Sequence, residues 1–568
     1  MLNSKIHETT AAGLTANVGT KKLLQAIYRA QHDASGVKGD QPRIKVSSVI
    51  SRMSFFYEKI RNAVDYKEEY LLRKEAIERI LRRQVLIEGA VKNNNSTDIS
   101  RHLLTELIRG GYLPNNQLPV TVVDEVALII NKYLVIKDEA IAGLSKYDGQ
   151  TSLMNKDLVK YKEELLQRNQ LIDWLLAIAA SEIESQLGND PVLNQAIHNL
   201  YQYLLANIEL VGHEQLVPDL PIQIYLAVNR NFVKLDNDML SFILLKYYIA
   251  DWHKLDEAQW PVIAKKISEI RRAIVRQLNH PLTFQLDKIT RRYAVCTSVL
   301  LDVLKTNPVG VYASIKNDPK AFPRQIKIVC EKSYTKAKSL LWRAAVRSII
   351  YIFLTKTILV IALEIPVNHV LGAPVGWGAL LINALFPAGL LFFAVLTTKL
   401  PDDANTNKIV SIVDELSFEE KKRQEPILLR LPQKKASILI KIFNCIYTLT
   451  FFVTFSAIIW ALYKLRFTWV SILVFLFFLV FASFFIIRIK RTTNELKITE
   501  AKESLWLILF DVFTLPVMAV GKWLSEKFKK VNLLVFLLDF IIETPFKFFV
   551  DMAEDWTNYV NERRSQIN

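Results

Sequence analysis

Lys356, in the stretch FLTKTILV, stands near the middle of an apolar run long enough to enter a bilayer. A charge at that depth costs about 2.5–3.5 kcal/mol on the insertion scale, so it needs a task or a partner. Glu364 follows two turns later on roughly the same face, and Asn383 lies in the next apolar run. Facing a water-filled path, this lysine would bind or pass an anion. Paired with a carboxylate, or snorkelling from a tilted helix, it would be a structural residue. The second reading is the simpler one. A transport path ordinarily displays more than one such group, and the later apolar runs offer only Lys441 and Asn444, near one edge.

Two charged amphipathic stretches flank the apolar region. Arg324–Arg347, RQIKIVCEKSYTKAKSLLWRAAVR, contains a single acid, Glu331. At about 100° per residue, Arg324, Lys327, Lys332, Lys336, Lys338 and Arg343 spread over one broad side. Ile326, Val329, Cys330, Ala337, Leu340 and Leu341 take the other. Such a helix beside a membrane binds anionic headgroups at about 1 kcal/mol per basic residue. The second stretch is Leu533–Met552, LLVFLLDFIIETPFKFFVDM, in which Asp539, Glu543, Lys547 and Asp551 recur every four residues. With Glu554 and Asp555 they form an acidic face opposite an aromatic-rich apolar one. A spanning helix would bury that stripe in lipid, which is prohibitive, so a helix in the membrane plane is expected. Ser504–Gly521 shares the pattern of an acid followed by a proline, Asp511 then Pro516. The basic and acidic faces are expected to meet as a collar around the spans.

Other chemistry is not signalled. The eight histidines stand singly, and His213-Glu214 lacks a second histidine three residues on. There is no GxxxxGK[ST], GxGxxG or GxSxG. With 17 glycines in 568 residues, phosphate-cradling loops are not expected. Cys296, Cys330 and Cys445 form no CxxC pair and no disulfide framework, which fits a reducing compartment. No cofactor and no metal are expected, and a non-enzymatic role is favoured.

The elements that must position these residues are helices throughout: the fold class is all-α. Four runs meet the span length of about 20 residues: Ser348–Val367, Gly376–Thr397, Ile438–Tyr463 and Phe467–Ile487. Short connections pair them into two hairpins. The loop Thr398–Ser437 and the stretches outside the first and last spans are rich in lysine and arginine, which places them and both termini on the cytoplasmic side. The domain reading is a polar, disordered tail over 1–44, helical units over 45–150 and 151–323, and a basic juxtamembrane helix over 324–347. Hairpins over 348–397 and 438–487 follow, with a cytoplasmic loop over 398–437 and interfacial helices over 488–568. No convincing strand is visible. In YEKIRNAVDYKEEYLLRKEAIERILRR the pairs Glu69–Arg73, Glu75–Arg79 and Glu78–Arg82 read as a solvated helix face. The loop's amphipathic piece, KIVSIVDELSF, could dock back onto the soluble part.

A net charge of +16 calls for an anionic partner, and the crowding of cations beside the spans makes that partner acidic lipid rather than nucleic acid. The N-terminus has no apolar core of signal-peptide length. The expected protein is an integral membrane protein of the bacterial inner membrane that anchors a large cytoplasmic interaction or scaffold domain, which a cytoplasmic protein partner would bind. The alternative is a transport, membrane-insertion or lipid-handling protein that uses Lys356.

Overall fold

The computed structural model describes residues 15–33, 42–47, 54–55, 58–59, 68–88, 95–144, 155–311, 321–370, 377–398, 400–431, 437–499 and 514–523, with single positions at 552, 556, 559, 560 and 563. The chain is mostly helical. Its described residues divide into two units. One lies within Val18–Ala294, Gln424–Leu431 and Thr544–Asn568, the other within Met1–Asn17, Val295–Arg423 and Pro432–Glu543.

The first unit runs through α1 (Val18–Asp33), α2 (Glu69–Arg82), α3 (Ser96–Arg109), α4 (Thr121–Leu144), α5 (Asn155–Leu187), α6 (Pro191–Asn207), β1 (Ile208–Val211), α7 (Leu220–Val228), α8 (Asn237–Tyr248) and α9 (Trp260–Leu278). Local chemistry sets several starts. The Asp190 carboxylate accepts from the amides of Val192 and Leu193 while Pro191 opens α6, and Asp236 caps α8 through the Met239 amide. Ile77, Leu103, Val126, Ile178, Leu244 and Ile274 are fully buried in one continuous core. The structure therefore departs from the expected separation near residue 150: helices from both sides of it share that core. It departs again within 1–44. Val18–Asp33 is helical and buries Leu23, Leu24 and Ile27, with α6 as its neighbour. Two strands also exist. β1 pairs in parallel with β2 (Ile427–Arg430), Ile208 opposite Ile427.

The second unit holds the end of α10 (Thr283–Thr306), α11 (Ala321–Leu359), α12 (Ile365–Val370), α13 (Trp377–Leu396), α14 (Asp403–Ser417), α15 (Ser437–Lys464), α16 (Trp469–Asn494) and a helix α17 over 514–523. α11 passes through a π turn, Val360–Glu364, directly into α12. The basic segment and the first apolar run are thus one continuous helix, where a separate juxtamembrane helix was expected. Among the described residues three helices are long and apolar enough to cross a membrane: Ala321–Val367, Lys441–Lys464 and Trp469–Ile487. The apolar helix Leu381–Leu396 is shorter. α11, α13 and α16 pack together through Ala345 and Ile352, Leu391 and Val395, and Phe478 and Ala482.

The α15–α16 connection, Leu465–Thr468, reverses the chain in four residues. Arg466 takes the left-handed conformation at φ 58°, the Phe467 amide donates to the Leu462 carbonyl, and both of those side chains are buried in one cluster. That is the helix-ending motif in which a left-handed residue is followed by an apolar contact across the turn. Trp460, Tyr463 and Trp469 stand exposed around it, as interfacial aromatics do.

α17 bears on the expectation for 488–568. Val517 and Val520 pack with Phe475, Leu479 and Val480 of α16, well inside that helix's apolar stretch. A Cβ on Gly521 would come within 2.8 Å of the Val480 carbonyl and 3.3 Å of Phe484 Cβ. Glycine lets the two backbones meet, as small residues do between membrane helices. Gly521→Leu is expected to detach α17 and cost about 1–3 kcal/mol, the range for overpacking. A cysteine placed at Leu515 should report the detachment through faster labelling by a membrane-impermeant thiol reagent.

Candidate functional site

Lys356 is fully buried where α11, α13 and α16 meet. Its ammonium lies over two aromatic faces, 5.3 Å from the ring centre of Phe475 and 5.2 Å from that of Phe478. A cation over a ring face is attracted by the ring quadrupole, by about 2 kcal/mol when desolvated. Asn383 on α13 is also fully buried, one turn before Phe386, whose ring centre is 5.2 Å from that of Phe475. Glu364 closes the π turn. Burial at this depth, with the ammonium over two rings, is an environment that sequence alone did not indicate. The contact ties α11 to α16, and Phe386 of α13 lies against the same Phe475 ring. A path for ions or substrates would need open space around the ammonium.

The basic residues Arg324, Lys327, Lys332, Lys336, Lys338 and Arg343 are all exposed on α11, while Phe322, Ile326, Cys330, Ala337 and Leu341 are buried. Part of the cover comes from α14, the amphipathic piece of the loop, whose end carries Phe418 edge-on to Phe322 at 5.4 Å. The same end of α14 receives residues 15–17: Ala16 bridges Phe418, and the Asn17 amide donates to the Ser417 carbonyl at 2.8 Å. At the start of α14, Asn405 is fully buried and satisfied on both sides of its amide. Nδ2 donates to the Tyr334 hydroxyl and the Leu496 carbonyl, each at 3.0 Å. Oδ1 accepts from the amides of Ile498 (2.8 Å) and Thr499 (3.2 Å). Asp539, Glu543, Asp551, Glu554 and Asp555 lie outside the described residues, and with them the acidic side of the expected collar.

Sequence reasoning passed over the most elaborate polar cluster. Glu182 on α5 is 2% exposed yet accepts four hydrogen bonds or ion pairs. Oε1 faces Lys132 Nζ at 2.8 Å and His253 Nδ1 at 3.3 Å; Oε2 receives the Tyr133 hydroxyl at 2.8 Å and the Trp252 indole N–H at 2.7 Å. Lys132 also lies 4.4 Å from the Trp252 ring centre. Burial alone would raise the Glu182 carboxyl, but hydrogen bonds from His253, Lys132 and Trp252, with the Lys132 charge, outweigh it and hold the group below its ordinary range. Burial draws Lys132 below its own ordinary value against the pull of Glu182. With its lone pairs occupied, this carboxylate has nothing left to offer a substrate. It clasps the Trp252 turn onto α4 and α5. The only sequence signal was two acids, Glu182 and Glu184, inside the apolar run LLAIAASEIE.

The α2 cations form a second network. Arg73 grips Glu184 with two bonds of 2.7 and 2.6 Å, Arg79 reaches Glu58 at 2.6 Å, and the buried Lys74 contacts Asp236 at 3.1 Å and Asp238 at 2.5 Å. The expected solvated face is therefore largely tertiary; of the predicted pairs, Glu78–Arg82 closes at 3.2 Å. Among the described residues no group of three or more His, Cys, Asp or Glu could hold a metal ion. No family model, no curated protein and no solved structure matches this chain.

Proposed function

We propose that this chain is an integral membrane protein whose spans hold a large helical interaction domain at the bilayer, with that domain and both termini on the cytoplasmic side of a bacterial inner membrane. The observation that supports the reading is the buried Lys356 ammonium lying over Phe475 and Phe478, a placement that suits a fastener of the bundle. Four spans complete the picture, the shorter apolar helix pairing with the first. The partner is a cytoplasmic protein for the helical domain and anionic lipid for the basic face. A transport or insertion role is the second reading, favoured by Asn383 being buried in the same bundle.

Lys356→Leu separates the two. Removing the charge relieves about 2.5–3.5 kcal/mol of insertion cost and forfeits about 2 kcal/mol of cation–ring attraction. The variant is expected to keep its membrane level and to gain about 1 kcal/mol in stability, read as a higher thermal midpoint in detergent. It should also complement a deletion strain. Retained level and midpoint with lost complementation would reverse the assignment in favour of a path.

A further inference from the structure

The continuity of α11 fixes which cations can reach a membrane. Its exposed stripe changes character within one turn. Arg343 and Arg347 are exposed, and the next exposed residues on the same face are Ile350, Leu354 and Ile358. At 100° per residue these five fall within about 80° of arc. The three apolar residues cover about 12 Å of helix, close to the hydrocarbon depth of one leaflet, roughly half of about 30 Å. The membrane surface implied by this change lies between Arg347 and Ile350. Arg324 stands about 35 Å from Arg347 along the axis, far beyond a screening length of about 8–10 Å.

We infer that Arg343 and Arg347, with the apolar stripe above them, seat one glycerophospholipid of net negative headgroup, its phosphate between the two guanidiniums and an acyl chain along Ile350, Leu354 and Ile358. The inference rests on the membrane-anchor reading and narrows it: the headgroup role belongs to the membrane-proximal pair, and Arg324, Lys327 and Lys332 stand clear of lipid. Two chemical features select this occupant. The arginines are four residues apart on an exposed face, where like charges repel and a shared anion removes the repulsion. Guanidinium also matches phosphate oxygens in pairs, and the Arg343 Nε contact to the Ser339 carbonyl at 3.4 Å leaves its terminal nitrogens for that purpose.

The test uses the full-length chain, released from vesicles of equal parts phosphatidylcholine and phosphatidylglycerol and weighed with its retained lipids by native mass spectrometry. The wild type should keep phosphatidylglycerol in preference to phosphatidylcholine. Arg343→Gln with Arg347→Gln should weaken that retention about thirty-fold, about five-fold for each cation near an anionic surface. Lys327→Gln with Lys332→Gln should leave it unchanged. Equal losses in both variants, or none in the first, would overturn the proposal, as would displacement of the lipid by inorganic phosphate alone. Alkaline extraction of the same membranes distinguishes the two levels. A chain that washes out refutes the anchor, whereas one that stays without preferring phosphatidylglycerol refutes only the lipid seat.

Discussion

Glu182→Ala is expected to lower the unfolding free energy of the helical unit by about 3–5 kcal/mol, the range for breaking a buried ion pair by removing one partner. The loss has identifiable parts. Lys132 remains buried without its counter-charge, and the Tyr133 hydroxyl and Trp252 indole lose their acceptor. Buried donors left unmade cost about 1–3 kcal/mol each. Pairing Glu182→Leu with Lys132→Met should recover much of the loss, because an apolar replacement of both partners removes the desolvation that the pair had to offset. Urea unfolding of the full chain in detergent, followed by tryptophan fluorescence, measures both. A loss below about 1 kcal/mol for the alanine variant would show that the cluster's pairing only offsets its own desolvation and adds little net stability.

The same carboxylate sets a pH dependence. Its native pKa lies below the unfolded value of about 4.3, so its contribution is fully present above that value and disappears as the pH falls through the lower native one. Acid titration of the wild type should therefore show a stability loss below about pH 4 that the Glu182→Leu, Lys132→Met double variant lacks.

Helices were legible wherever apolar residues recur every three or four positions, and three of the four long apolar runs fall in helices long enough to cross a membrane, the run Gly376–Thr397 giving only the shorter Leu381–Leu396. What escaped was whatever depends on long-range partners. Arg73 and Glu69 look like a surface pair four residues apart, yet Arg73 turns to Glu184 on another helix. Lys74 looks like any solvated lysine until Asp236 and Asp238 arrive from the start of α8. Periodicity reports which face a residue occupies and says nothing about what covers that face. The π turn does have a mark in the sequence: Pro366, just beyond it, lacks the N–H that a regular helix would direct back to the preceding turn. The division at residue 347 has none, because it reflected only the change from charged to apolar residues, which one continuous helix accommodates.

Asn405→Leu is expected to be nearly as damaging in the second unit, at about 3–5 kcal/mol. The side chain joins three segments that leave the apolar helices at one end: α11 through Tyr334, α14 through its own backbone, and the chain after α16 through Leu496, Ile498 and Thr499. Leucine fills the volume but leaves the Leu496 carbonyl and the Ile498 amide without partners, and each buried orphan costs about 1–3 kcal/mol. Asn405→Asp discriminates this account from simple loss of shape. Its Oδ1 can still accept from Ile498 and Thr499, but an ionised second oxygen would face the Leu496 carbonyl instead of donating to it. Burial without a cation raises the carboxyl's pKa in the folded chain, so the folded state binds the proton more tightly and the variant should regain stability as the pH falls. Thermal unfolding in detergent at neutral and mildly acidic pH measures this. Recovery by the aspartate variant alone, with the leucine variant unmoved, would show that the hydrogen bonds of residue 405 hold this end of the helices together. Equal behaviour of the two would assign its role to packing.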